Sequence, residues 1–194
     1  MVYALARIVL GIIFRIKYRI KVTGAEHVPS SGGVILCANH ANALDPILVA
    51  LAVKRKLRFI AKKELFENKA LAILINALGA FPVDRDATDI TAYKTTIKLL
   101  RNGEALLLFS QGTRHKSLDI TNNKSGVAFF GIKAQTPIVP IGISSTFKTF
   151  SKVHIHIGKP ISLDKYSGVR LKTELLNEVT EETMRQIIRL TGEQ

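Results

Sequence analysis

Val34-Ile35-Leu36-Cys37-Ala38-Asn39-His40-Ala41-Asn42-Ala43-Leu44-Asp45-Pro46 is the stretch whose reading decides the fold. Its first five residues form an uninterrupted apolar run, preceded by Ser30-Ser31-Gly32-Gly33, which reads as a buried strand. Asn39-His40 ends that strand. Asp45-Pro46 then opens a helix, with Asp45 placed to cap it and Pro46 suited to the first helical turn. A histidine therefore lies in a turn after a buried strand, five residues before a carboxylate fixed at a helix start. Such a carboxylate holds one imidazole nitrogen and leaves the other free to accept a proton.

The same alternation recurs along the chain. Residues 18–23, 59–61, 105–109 and 138–143 read as strands, and 153–157 alternates strictly. Between them, 46–53, 68–78, 88–101 and 126–134 carry helical patterning, and 170–190 is a closing amphipathic helix. The helix over 68–78 is apolar nearly all round, so core packing is expected, with a wall for a bound apolar chain as the sharper alternative. This succession predicts a single-domain α/β fold with a mixed, largely parallel sheet flanked by helices. In such sheets sites gather at the carboxyl ends of strands. His40 and the turn Gln111-Gly112-Thr113-Arg114 both follow strands in that way, so they are expected on one rim. His154 and His156 share a face of the alternating segment; without a third ligand they read as the polar face of an edge strand rather than a metal site.

At 194 residues with 47% hydrophobic content, the chain is long and apolar enough for one substantial core. Its single cysteine, Cys37, excludes an internal disulfide framework and sits in the buried strand as an inert thiol. The net charge of +13 calls for an anionic partner. Only 7% of residues are aromatic, there is no Trp and no nucleic-acid signature is present, so a membrane surface is expected rather than nucleic acid.

The N-terminus bears on that choice. Residues 2–16 are apolar except at Arg7, Gly11 and Arg15, which recur every fourth residue and form one stripe on a helix. Arg15, Lys17, Arg19 and Lys21 follow, with no acid before Glu26. At about 1.5 Å per residue the segment falls short of the roughly 30 Å hydrocarbon core. An amphipathic in-plane anchor on anionic lipid is the expectation for residues 1–17, with 18–194 as the α/β domain; a helix packed on the core is the alternative. The run Lys54-Arg55-Lys56-Leu57-Arg58 reads as a solvated face, or as a contact to lipid phosphates or an acidic protein.

Four motifs in sequence order resemble the signatures of the glycerolipid acyltransferases, the 1-acylglycerol-3-phosphate acyltransferases and their relatives. They are Asn39-His40 with Asp45, Gly79-Ala80-Phe81-Pro82-Val83-Asp84-Arg85, Phe109-Ser110-Gln111-Gly112-Thr113-Arg114, and Pro137-Ile138-Val139-Pro140-Ile141. Together they cover most of the chain. The resemblance implies transfer of a fatty acyl chain from a thioester of coenzyme A or acyl carrier protein to the sn-2 hydroxyl of lysophosphatidic acid. It implies no other cofactor, no metal, and a peripheral or monotopic place on the cytoplasmic face of the cell membrane. His40 is the expected general base, oriented by Asp45, and no G-x-S-x-G elbow argues for an acyl-enzyme.

Arg85 and Arg114 are placed by their motifs to bind the acceptor phosphate, since guanidinium grips phosphate bidentately. Gly112 and Thr113 can bring backbone N–H groups to an anion, and Pro140 shapes the pocket. The third motif departs from the family pattern, with Ser110-Gln111 where proline and glutamate are usual. Gln111 keeps a carbonyl acceptor for the substrate. A sister activity on another lysolipid or on glycerol 3-phosphate is the close alternative. A non-catalytic basic lipid- or nucleic-acid-binding protein would have no need of His40.

Overall fold

The computed structural model describes residues 2–84, 89–112 and 125–192. Helix α1 (Val2–Lys17) leads into β1 (Arg19–Thr23) and then β2 (Val34–Ala38), followed by α2 (Asp45–Ala52). Next come β3 (Leu57–Lys62), α3 (Lys69–Ala77), β4 (Ala80–Val83), α4 (Ile90–Arg101) and β5 (Ala105–Phe109). The chain closes with α5 (Gly126–Ala134), β6 (Ile138–Ser145), β7 (Lys152–Ile157) and α6 (Thr173–Thr191).

Seven strands make one sheet in the order β1-β7-β6-β2-β5-β3-β4. Every neighbouring pair is parallel except β6 with β7. The expected α/β fold with a largely parallel, mixed sheet is therefore the one observed. The central strands are buried on both faces, which is why β2 and β5 lack polar alternation. Val34, Leu36 and Ala38 face the layer holding α1 and α2, while Ile35 and Cys37 face α4, α5 and α6. Burial pushes the Cys37 thiol up to about 12, so at neutral pH it is a small apolar side chain, as expected.

Three placements differ from the sequence reading. β7 is an interior strand between β1 and β6, not an edge. Its alternation arises because one face packs on the core while the other, carrying His154 and His156, stays half-exposed. There His156 Nδ1 lies 2.8 Å from Thr23 Oγ1. Second, α3 is not core: none of its residues is buried, and Ile73 is 73% exposed. It stands at the β4 end of the sheet, packed chiefly on β4 and the turn before it among the described residues. Third, the basic run is partly structural. The Arg55 guanidinium donates to the carbonyls of Pro29, Gly32 and Gly103, and Arg58 makes a bidentate pair with Glu104.

β4 does lie at an edge, consistent with Pro82, which has no N–H to give a ladder. Gly79 turns the chain into it at φ +95°, where an added Cβ would meet the Leu57 carbonyl oxygen at 2.5 Å.

α1 inverts the usual pattern of a surface helix. The stripe bearing Arg7 and Gly11 faces inward: Arg7 donates to the Lys54 carbonyl, Gly11 faces Leu51, and Phe14 is buried. Leu5, Ile8, Val9, Ile12, Ile13 and Ile16 are exposed. No helix among the described residues is long and apolar enough to cross a membrane.

Candidate active site

The site forms where β2 and β5 end side by side, in register at Ala38 and Phe109. The Ser110 N–H extends that ladder by donating to the Ala38 carbonyl at 3.1 Å. His40 then folds over the end of β5, its ring stacked on Phe109 with centroids 3.9 Å apart and an interplanar angle of 18°. The histidine and the third motif thus meet on one rim, as the parallel topology requires.

Asp45 does not cap α2. The N-cap is Leu44, with no side-chain capping bond, and the Asp45 carboxylate turns back into the preceding loop. Its Oδ2 accepts from the N–H groups of Ala41 (2.8 Å) and Asn42 (2.7 Å) and from His40 Nδ1 (3.0 Å). Asn42 Oδ1 in turn accepts from the Leu44 N–H, closing the loop around the carboxylate. A carboxylate can only accept, so Nδ1 carries the proton in this contact. His40 Nε2 has no hydrogen-bond partner among the described residues. Asp45 is fully buried, and only a small part of the His40 side chain reaches the surface. A neutral imidazole held this way presents Nε2 as a base.

Asn39 has a role that its place before His40 did not disclose. Its side chain donates to the Ile143 carbonyl (2.9 Å) and accepts from the Ile143 N–H (2.8 Å), replacing backbone pairing where β2 leaves β6. Phe109 as the platform under His40 was missed too; its signal was its place as the last apolar residue of the strand, opening the third motif.

Gln111 is buried in the turn that follows β5. Gly112 has φ +71° and its N–H donates to the Phe109 carbonyl at 3.0 Å, so that N–H serves the turn rather than an anion. Pro140 lies elsewhere. It is buried in mid-strand, in register with Cys37, and its ring lies over Gly158 on the α6 side of the sheet. Arg85, Thr113 and Arg114 lie outside the described residues. Among the described residues no three His, Cys, Asp or Glu side chains are grouped to hold a metal.

Two cavities adjoin the rim. A cleft of about 440 Å³ runs over the ends of β3, β4 and β5, bounded by Phe109, Gly112, Asp84, Asp89 and Tyr93. Asp89 accepts from the N–H groups of Ala92 and Asp84, and those bonds hold its carboxyl below the usual range. A second cavity, of about 160 Å³, lies between α1, α2, Ile75 of α3 and Leu78 just after it. Pro46 and Phe59 line both. Tyr3 closes the apolar cavity near β3, its hydroxyl accepting from the Leu57 N–H.

Comparison with known proteins agrees with this geometry. The chain is 31% identical over 185 residues to the 1-acyl-sn-glycerol-3-phosphate acyltransferase of Bacillus subtilis (strain 168), covering 89% of this chain and 92% of that protein. It is 35% identical over 136 residues to the enzyme of the same name from Streptococcus pneumoniae, covering 66% of this chain and 50% of that one. The crystal structure of the 1-acyl-sn-glycerophosphate (LPA) acyltransferase PlsC from Thermotoga maritima superposes with a TM-score of 0.70 at 26% identity, covering 91% of this chain and 74% of that one. The sequence model of the Acyltransferase family matches residues 19–144, from the first strand to the end of β6, and the chain belongs to that family.

Proposed function

We propose that the protein transfers a fatty acyl chain from a carrier thioester to the sn-2 hydroxyl of lysophosphatidic acid, giving phosphatidic acid. The observation that carries this reading is His40, held at Nδ1 by Asp45 and stacked on Phe109, with Nε2 left without a hydrogen-bond partner among the described residues. The names of the relatives supply the choice of acceptor.

His40 Nε2 takes the proton as the sn-2 oxygen attacks the thioester carbonyl carbon. The resulting imidazolium, stabilised by Asp45, returns the proton to the departing thiol as the tetrahedral intermediate collapses. An ester bond forms and a thioester bond breaks, without a covalent enzyme intermediate. The cleft between β5 and α4 receives the polar parts of the substrates. The apolar cavity beyond Pro46 and Phe59 receives the acyl chain, which gives α3 the wall role its sequence suggested. Arg85, Arg114, Thr113 and Gln111 serve the phosphorylated acceptor in this reading, with coenzyme A or acyl carrier protein bearing the acyl group.

The exposed aliphatic face of α1 beside Arg15, Lys17 and Arg19 lies on the anionic cytoplasmic leaflet, where the lysolipid resides. The test is purified protein with a panel of lysolipids, glycerol 3-phosphate and both donor types, followed as ester formation. Phosphatidic acid from lysophosphatidic acid, lost in His40→Ala, is expected. Turnover within threefold of wild type in His40→Ala overturns the mechanism, and preference for another acceptor overturns the substrate.

A further inference from the structure

The loop between β6 and β7 carries a feature that neither the fold nor the catalytic reading uses. Phe147 and Phe150 both adopt left-handed backbone, at φ +56° and +63°. Phe147 is repaid by packing on the core. Phe150 is not: it is 66% exposed. It sits third in a turn closed by the Ser151 N–H on the Lys148 carbonyl at 3.0 Å, a position where positive φ favours glycine. A bulky residue there is strained, and an exposed ring gains nothing in return from the fold.

The loop is not loose. Phe150 N–H donates to the Lys17 carbonyl at the end of α1 (2.7 Å), and Arg19 N–H donates to the Ser151 carbonyl (3.0 Å). Phe147 N–H donates to Ser145 Oγ. These bonds fix the Phe150 backbone to the end of α1, at the residue after Ile16, which is 69% exposed and the last aliphatic residue of the outer row of that helix. Lys148, Lys17, Arg19 and Lys152 surround it, and all four are exposed, with Arg19 and Lys152 paired in register. No acid occurs between residues 134 and 163 or before Glu26. An exposed aromatic ring on a loop bonded to the end of an exposed aliphatic row, with exposed cations nearby along both segments, matches a bilayer boundary with anionic headgroups.

We infer that Phe150 is a second lipid-inserting contact, with Lys148, Lys17, Arg19 and Lys152 engaging anionic headgroups around it. This rests on the membrane reading of α1 and extends it. A contact on a second segment, the β6–β7 loop, sets an orientation that one helix alone leaves free to roll. Because β6 ends on the rim that Asn39 and His40 share, the loop turns that rim toward the lipid.

The chain has no Trp, so a single tryptophan reports its own surroundings. Phe150→Trp and, separately, Ile12→Trp are titrated with phosphatidylcholine–phosphatidylglycerol vesicles containing brominated lipid. A blue shift and quenching of both are expected. Quenching at position 12 but not at 150 overturns the inference while leaving the α1 anchor standing; quenching at neither overturns both. Phe150→Gly separates lipid binding from folding. It should melt no lower than wild type, because glycine relieves the left-handed strain, yet bind anionic vesicles roughly tenfold more weakly. Unchanged vesicle affinity with weakened turnover on an acyl carrier protein donor would assign the loop to an acidic protein and overturn the inference.

Discussion

Asn39 and Ile143 exchange two hydrogen bonds through one side chain, the amide nitrogen to the carbonyl and the amide oxygen to the N–H. Ile143 is buried, and among the described residues no other side chain answers these two groups at the point where β2 turns away toward His40. Removing the amide leaves two unsatisfied buried groups, each costing about 1–3 kcal/mol. Asn39→Ala should therefore lower the denaturant midpoint strongly. Asn39→Asp should also destabilise, since its second oxygen faces the Ile143 carbonyl where a donor stood. An aspartate variant as stable as wild type would mean that only the bond to the N–H matters.

Asp45 allows charge and geometry to be separated. Its Oδ2 takes all three bonds, while Oδ1 is buried without a hydrogen-bond partner. Asp45→Asn can keep its carbonyl oxygen on the same three donors, so the loop should fold much as before. An amide stabilises imidazolium poorly, and the expected loss in kcat is about 10²–10⁴-fold. Asp45→Ala should lose both activity and stability. Equal melting of the two variants would show that the backbone bonds contribute little.

Cys37 gives a pH-dependent check on the core. Its thiol is raised from an ordinary 9.0 to about 12 by burial alone. At pH 8 that leaves about a thousandfold less thiolate than a free cysteine has, and no surface for a reagent to reach. Iodoacetamide should label the native protein negligibly at pH 8 and stoichiometrically after denaturation. Rapid native labelling would show that β2 opens locally.

Arg55 distinguishes a structural cation from a lipid-binding one. Its guanidinium ties three carbonyls from two loops, on Pro29, Gly32 and Gly103. Burial lowers its pKa from the ordinary value, partly opposed by Glu104. Lysine cannot span that fork. Arg55→Lys should cost roughly 1–3 kcal/mol of stability and leave vesicle affinity unchanged. A stable variant with weakened vesicle binding would return Arg55 to the lipid surface.

The legible parts were those in which neighbouring residues settle the answer. The apolar runs of β2 and β5 read as buried strands because both faces are covered, and a turn after each put His40 and the third motif on one rim. What stayed hidden depends on partners far along the chain. The alternation Val153-His154-Ile155-His156-Ile157 reports one covered face but says nothing about β1 lying beyond it. Asp45 before Pro46 is compatible with a carboxylate pointing forward into the helix or back over the loop, and only the His40 and backbone donors decide it. The apolar pattern of α3 is that of a core helix, yet none of its residues is buried among the described residues. Asn39 finds its partner 104 positions away, beyond any local pattern.

The outer face of α1 supplies the last prediction, and the inner face determines how to test it. Deleting residues 1–17 would also remove Phe14 from the core and Tyr3 and Leu10 from the apolar cavity, confounding attachment with folding. Ile8, Ile12 and Ile16 are exposed and make no such contribution. Replacing all three by serine should change stability little, since exposed substitutions away from such contacts usually lie within about 0.5 kcal/mol. Full burial of an isoleucine is worth roughly 1.5–3 kcal/mol, so even half that for each of three side chains multiplies to a loss of roughly fiftyfold or more in vesicle affinity. Salt should do far less to the wild type, because screening weakens the attraction of Arg15, Lys17 and Arg19 for headgroups but not apolar burial. Sedimentation with anionic vesicles in low and in molar salt, for wild type and triple variant, measures both terms. Complete release of the wild type by salt, or full retention of the triple variant, would show that the helix rests on charge alone.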